Sequence, residues 1–174
     1  DTYLLFGKKV SKNDIRVECY GAIDECMSNL GVAKILSEDQ NLTHIAEVII
    51  NIQRKLFITS SEIACPVEKY KEMKDKYSFI TQEMIDETES QIDYFQQNSP
   101  EIKFFVLPGS SLLSSHIDIS RTICRRAERL CVKIGEKKLL NNKKNLILLN
   151  RLSDLLFILA RYVDRDKEYV KASE

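Results

Sequence analysis

Ser110 to Gly135 reads S-S-L-L-S-S-H-I-D-I-S-R-T-I-C-R-R-A-E-R-L-C-V-K-I-G, and the spacing within it decides the fold. At 100° per residue, Ile123, Ala127, Leu130 and Ile134 fall on one face of a helix. Arg121, Arg125 and Glu128 fall in a narrow stripe on another. Ser110 or Ser111 can cap the start, and the pattern runs to Gly135. A helix divided in this way buries one side and leaves the other wet, as in a helical bundle.

The same period recurs on both sides of this stretch. One helix is expected from about Asp14 to Leu36, with Ser11 or Asn13 as its cap. A second, from about Leu42 to Ala64, carries Ile45, Ile49, Ile52, Leu56 and Ile63 at helical spacing and stops at Pro66. A shorter one starts near Thr81 and ends before Pro100, and the last covers about Asn145 to Asp164. The charged stretch Val67 to Tyr77 is expected to be a solvated, mobile linker. With only five glycines and three prolines, long periodic segments, and no strand-like alternation or repeat, the expectation is an all-α, five-helix bundle forming one domain over residues 1–174.

Composition narrows the function classes. The chain has 26 basic and 26 acidic residues and no net charge, which argues against coating nucleic acid or an anionic membrane. The apolar runs Leu146 to Leu149 and Leu155 to Ala160 are broken by Asn150, Arg151 and Asp154, far short of the roughly 20 residues a membrane span needs. The segment Asp1 to Gly7 does not read as a signal peptide. Cys19, Cys26, Cys65, Cys124 and Cys131 are odd in number, lack C-x-x-C spacing and lie in helical patterns, so they read as small apolar fillers in a reducing compartment.

Three polar strips interrupt the apolar faces. Arg121 and Arg125 are like charges one turn apart, which costs a few tenths of a kcal/mol unless Glu128 or a phosphate sits between them. A salt-bridged surface is the simpler reading of that stripe taken alone. On the last helix, Asn150, Asp154, Phe157 and Arg161 share a face opposite Leu148, Leu152, Leu155, Leu156, Leu159 and Val163. On the first, Gly21, Asp24, Ser28 and Gly31 form a strip narrow enough for another helix to approach, with one carboxylate that needs a cation once covered. The segment Lys103 to Gly109 is too apolar for a free loop, so Phe104 and Phe105 should find cover. His44 and His116 read as structural. No H-E-x-x-H, E-x-x-H, G-x-G-x-x-G or complete Walker loop occurs, and no protein-borne metal site is expected.

Taken together, R-V-E-C-Y-G-A-I-D-E (Arg16 to Glu25), F-F-V-L-P-G (Phe104 to Gly109), R-T-I-C-R-R-A-E-R (Arg121 to Arg129) and N-R-L-S-D (Asn150 to Asp154) resemble the ATP:cob(I)alamin adenosyltransferases of the propanediol-utilisation type. The likeness runs in the same order over nearly the whole chain. It implies a five-helix bundle of ferritin-like, up-down arrangement and a homotrimer, with ATP and corrinoid between neighbouring subunits. By that likeness Arg125, Arg126, Glu128, Arg129 and Asn150 contact ATP, with Arg125 on the triphosphate. Thr2, as the end of the family's T-x-x-G-D-x-G-x-T phosphate loop, and Lys12 close over the nucleotide. Asp24 pairs with Arg121 of the adjacent subunit, and Phe105 belongs to the apolar wall beneath the corrin ring. The sequence starts at Asp1, after the glycine-rich part of the phosphate loop. Cys26 and Met27 stand where the family usually has Leu-Asn, and Ser110 follows Pro108 and Gly109 where a second glycine is common.

The reaction so implied is attack of a Co(I) corrinoid on C5′ of ATP with loss of triphosphate, Mg²⁺ arriving with the ATP and no general base being required. It also implies a reductase that supplies cob(I)alamin, an acceptor enzyme that uses adenosylcobalamin, and a cytoplasmic location, or the mitochondrial matrix after removal of a transit peptide. A non-catalytic carrier or sensor of ATP or adenosylcobalamin with the same fold is the alternative. A nucleic-acid adaptor using Arg121 to Arg129 fits the neutral charge poorly.

Overall fold

The computed structural model describes residues 1–173. Within them lie six α-helices: α1 (Ile15–Asp39), α2 (Thr43–Ile63), α3 (Tyr70–Lys76), α4 (Gln82–Gln97), α5 (Leu112–Glu136) and α6 (Lys144–Val163). Two short strands, β1 (Thr2–Tyr3) and β2 (Lys9–Val10), pair antiparallel ahead of them. The all-α expectation therefore holds, with one helix more than the five expected and a small hairpin too short to show a period.

Cross-helix contacts give the directions. Cys19 Sγ donates to the carbonyl of Ala127, and Asn29 Nδ2 to that of His116, so α1 and α5 run antiparallel. Asn150 bonds to Glu128 near one end of the α5–α6 pair and Arg161 to Asp118 near the other, which makes this pair antiparallel too. Gln53 reaches the carbonyl of Met27 between α2 and α1, Lys55 bonds to Thr88 between α2 and α4, and Phe95 of α4 meets Tyr162 of α6 at 4.8 Å. The five long helices thus alternate up and down. The last of them, α6, is the most central: Leu148, Leu149, Leu152, Leu155, Leu156 and Leu159 are all fully buried.

Between α1 and α5 the core is made of small side chains, Cys19, Ala22 and Cys26 facing Cys124, Ala127 and Cys131. All five cysteines are free and buried. Burial pushes the Cys131 thiol up to about 12 and that of Cys19 higher still, so these thiols are unreactive packing groups.

The helix caps differ in one place from expectation. Asp14, rather than Ser11 or Asn13, caps α1: its carboxylate accepts the Arg16 backbone N–H at 2.9 Å and the Arg16 guanidinium at 2.7 Å. Those bonds hold Asp14 below its ordinary value of 3.8. Ser111 caps α5 and forms a reciprocal box with Ser114, which satisfies helix N–H groups that would otherwise be left open.

The expected mobile linker is instead ordered. Val67–Lys69 form a 3₁₀ turn that leads into α3, and Met73 is fully buried beneath it. The reason lies in Glu62 at the end of α2, 1 % exposed. Its carboxylate accepts the Tyr70 hydroxyl at 2.7 Å, the Ile80 backbone N–H at 2.9 Å and Asn142 Nδ2 at 3.1 Å. Asn142 also donates to the carbonyl of Ile80, and Asn141 to that of Cys65. One buried carboxylate therefore joins α2, α3, the start of α4 and the α5–α6 loop, its lone pairs filled by neutral donors. Burial first, and then the bond to Glu62, raises the Tyr70 hydroxyl, which stays a neutral donor. The N-terminal hairpin docks on the same end: Leu5 N–H bonds to the carbonyl of Ala64, Lys8 pairs with Glu68, and Phe6 lies edge-on to Tyr77.

Replacing Glu62 by alanine leaves the Ile80 N–H and the Asn142 amide without their acceptor. Urea unfolding of Glu62→Ala should show a loss of about 2–4 kcal/mol. A loss within about 0.5 kcal/mol, the range of ordinary surface changes, would show that the junction is held by something else.

Candidate functional site

Helix α5 places its charges in three directions. Arg126 points toward α1 and pairs with Glu25. Arg121 is half-buried, with Nε donating to Asp118 Oδ1 at 2.9 Å. Arg125 and Arg129 are exposed and form no ion pair or hydrogen bond to a side chain among the described residues. Glu128, expected as the carboxylate between Arg121 and Arg125, is engaged elsewhere: it accepts Asn150 Nδ2 from α6 at 3.0 Å. The bond orients the Asn150 amide and takes up the one acid that could have neutralised Arg125 within its own stripe.

An open groove of about 380 Å³ lies along the middle turns of α5 and α6, beside the C-terminal half of α4. Arg121, Arg125 and Arg151 line it together with Asp154, Phe157 and Ile92. Arg151 is partly committed, to Asp154 at 3.2 Å and to Glu89 at 3.6 Å. Among the described residues the balance in the groove is three guanidiniums against one carboxylate, and Arg125 is the cation without an ion pair. A polyanion with an adjoining flat apolar group suits such a lining, the arginine forks taking oxygens and Phe157 the flat group.

Next to this groove the Phe104–Gly109 segment leads into α5. Its backbone is held by the C-terminal segment: Leu107 N–H bonds to the carbonyl of Val170, Ala172 N–H to that of Phe105, and Lys171 lies over the Phe104 ring at 5.2 Å. Cover for both phenylalanines was expected, and within one chain neither is buried: Phe104 is exposed apart from its contact with Lys171, and Phe105 is 87 % exposed. An aromatic ring held out on a fixed backbone is an unfilled contact surface.

The strip on α1 is also open. Gly21, Asp24 and Ser28 are exposed, no atom lies within 4 Å of a side chain added at Gly21, and Asp24 has no cation partner among the described residues. Thr2 pairs with Val10 in the hairpin, and Lys12 is exposed between that hairpin and α1. Neither lines the groove of Arg125. The structure therefore brings Arg121, Arg125, Glu128 and Asn150 to one side of α5 and α6. It leaves Arg126, Asp24, Thr2, Lys12 and Phe105 on other surfaces of the chain. No cluster of three or more metal-ligating side chains occurs among the described residues.

The sequence reading missed Arg151 in the groove and the carboxylate that holds Arg121. Asp118 lies three residues before Arg121, an i,i+3 spacing that was readable. What could not be read was that its other oxygen would meet Arg161 of α6. Of the two histidines, His116 is tied into the α1–α5 packing, Nδ1 bonding to Asn29 at 2.8 Å, while exposed His44 sits edge-on to Tyr162.

Comparison with known proteins gives a consistent result. The profile of a family described as "Cobalamin adenosyltransferase" matches residues 1–163. A corrinoid adenosyltransferase of Bacillus subtilis (strain 168) is 35% identical over 175 residues, covering 97% of this chain and 87% of the relative. One from Citrobacter freundii is 34% identical over 160 residues, with coverages of 92% and 87%. Among solved structures, a variant of the PduO-type ATP:corrinoid adenosyltransferase of Lactobacillus reuteri, complexed with cobalamin and ATP, superposes with a TM-score of 0.89 at 30% identity, over 99% of this chain and 94% of that one.

Proposed function

The chain belongs to the cobalamin adenosyltransferase family, and from that premise we propose that it transfers the 5′-deoxyadenosyl group of ATP to the cobalt of cob(I)alamin, releasing triphosphate. The observation that carries this reading is the groove in which Arg125 stands unpaired among the described residues beside Arg121, with Glu128 one turn along α5 fixing the Asn150 amide. In the reaction the Co(I) electron pair forms the cobalt–carbon bond at C5′, the C5′–O bond breaks, and that pair leaves on the triphosphate. Negative charge grows on the leaving group, where preorganised guanidiniums act most strongly. Arg125 is assigned to the triphosphate, Asn150 and Glu128 to orienting the nucleoside, Arg129 to an outer contact, and Arg126, turned to Glu25 on α1 in the single chain, to a contact made on leaving that pair. The nucleophile is the corrinoid itself, and no protein base is required.

Three groups left open on the single chain fit a homotrimer with the site at its seams. Asp24 of one copy faces Arg121 of the next, which supplies the cation that an exposed acid on a glycine strip lacks. Phe105 of one copy meets the corrin ring, where an apolar wall excludes water and a lower axial ligand and so favours reduction of the cobalt. Thr2 and Lys12 close over the nucleotide from a neighbouring copy. Mg²⁺ comes with the ATP, bound chiefly by phosphate oxygens and waters, and adds charge neutralisation at the leaving phosphate. A reductase supplying Co(I) and an acceptor enzyme using adenosylcobalamin complete the setting. A non-catalytic carrier of the same fold is the less favoured reading, because curated relatives over most of this chain are named as transferases.

The test is an anaerobic assay with ATP, Mg²⁺ and chemically reduced cobalamin, followed by the spectral change to adenosylcobalamin. Arg125→Ala should lower kcat/KM by about 100-fold or more with an unchanged melting temperature, and near-normal turnover would remove Arg125 from the site. Asp24→Asn should weaken the trimer in light scattering and lower activity together, whereas a stable, fully active trimer would contradict the pairing. Phe105→Ala should slow turnover from Co(II) plus reductant by roughly tenfold or more while leaving ATP affinity unchanged. An unaltered rate there would count against the wall.

A further inference from the structure

Asp118 and Arg161 are both buried, the side chains 5 % exposed each, and they form an ion pair between α5 and α6. The two oxygens of Asp118 are divided. Oδ2 accepts Arg161 Nη2, and Oδ1 accepts Arg121 Nε at 2.9 Å. Arg161 is itself fixed from two sides: its guanidinium lies 5.5 Å from the Phe157 ring, and its backbone carbonyl accepts the Tyr169 hydroxyl at 2.8 Å. Its Nε is buried without an acceptor, so Asp118 is the only acid paired with this cation among the described residues. Arg121 takes a different position. It is anchored only through Nε, and its two terminal nitrogens make no bond among the described residues. It lines both the arginine groove and the small cleft with Pro108 and Gly109 at the base of the Phe105 segment.

We propose that Asp118, locked by Arg161, is a positioning residue that holds the Arg121 guanidinium in the groove with both terminal nitrogens free for the site. An arginine side chain on a helix surface keeps about 2 kcal/mol of rotamer freedom. Tethering it at Nε removes much of that freedom before any ligand or neighbouring copy arrives, and leaves the planar fork available. The carboxylate also offsets part of the repulsion between Arg121 and Arg125 while bonding Arg121 only at Nε. The device runs outward from the buried pair: Arg161 sets Asp118, and Asp118 sets the half-buried Arg121.

The inference rests on the proposed transferase reading, and the experiment separates the two. Asp118→Asn alone strands a buried cation and is expected to lower the melting temperature. The double variant Asp118→Asn with Arg161→Gln removes both charges and should regain most of that loss. If Asp118 only balances Arg161, activity returns with stability. If it positions Arg121, kcat/KM in the stable double variant stays roughly tenfold or more below wild type, and adding Arg121→Lys there costs much less than adding it to wild type, because the fork is already loose. Recovery of wild-type kcat/KM, or an equal cost of Arg121→Lys in both backgrounds, overturns the proposal. The same cycle read as ATP affinity by calorimetry needs no cobalt chemistry: an inactive wild-type chain that binds ATP would contradict the transferase reading, while the cycle still decides the role of Asp118.

Discussion

The rotation of α5 about its own axis governs everything else. Ile117, Ile123, Cys124, Ala127, Leu130, Cys131 and Ile134 are buried on this one helix. Each large apolar side chain so placed is worth about 1.5–3 kcal/mol, against about 0–1 kcal/mol for an exposed ion pair. The core therefore sets the angle of the helix, and the arginines point where that angle sends them. Arg126 turns to Glu25 on α1, Arg121 to Asp118, and Arg125 into the groove, where the one lining carboxylate, Asp154, pairs with Arg151 and Arg125 has no ion pair among the described residues. An unneutralised guanidinium on a rigid element is what a polyanionic substrate needs, and rigidity comes from packing rather than from the charges.

Buried polar joints add what apolar packing cannot. Glu62 ties four segments at one end of the bundle. Lys55, 3 % exposed, meets Thr88 and Glu87 between α2 and α4. Asp118 and Arg161 join α5 to α6. Such joints are satisfied in only one register of the helices, so sliding any pair would leave charges stranded. The first fixes the end where the N-terminal hairpin docks, and the last lies beside the groove.

The five long helices, the buried faces of α2, α5 and α6 and the Arg125 stripe were legible because each follows from a 3.6-residue period carried over many turns. Short α3 was not. Seven residues rich in lysine and glutamate have no period to read, and what orders them is a carboxylate eight or more residues away in sequence meeting Tyr70, Ile80 and Asn142. The same holds for Asp118 with Arg161, 43 positions apart. Local spacing shows which residues share a face, but not which two faces will meet. Glu128 illustrates the limit: its stripe was read correctly, its partner was not, since Asn150 comes from another helix. Asp24 and Phe105 gave the reverse lesson. Each was expected to be covered, and each stands open on the single chain, which is where the proposal of neighbouring copies begins.

A crystal structure with ATP and cobalamin bound measures the central claim most directly. The account predicts triphosphate oxygens within about 3 Å of the Arg125 guanidinium, the Asn150 amide on the nucleoside, and a second copy closing the site with its Thr2 and Lys12. Triphosphate bound elsewhere, with Arg125 still free in solvent and no second chain at the groove, would contradict it.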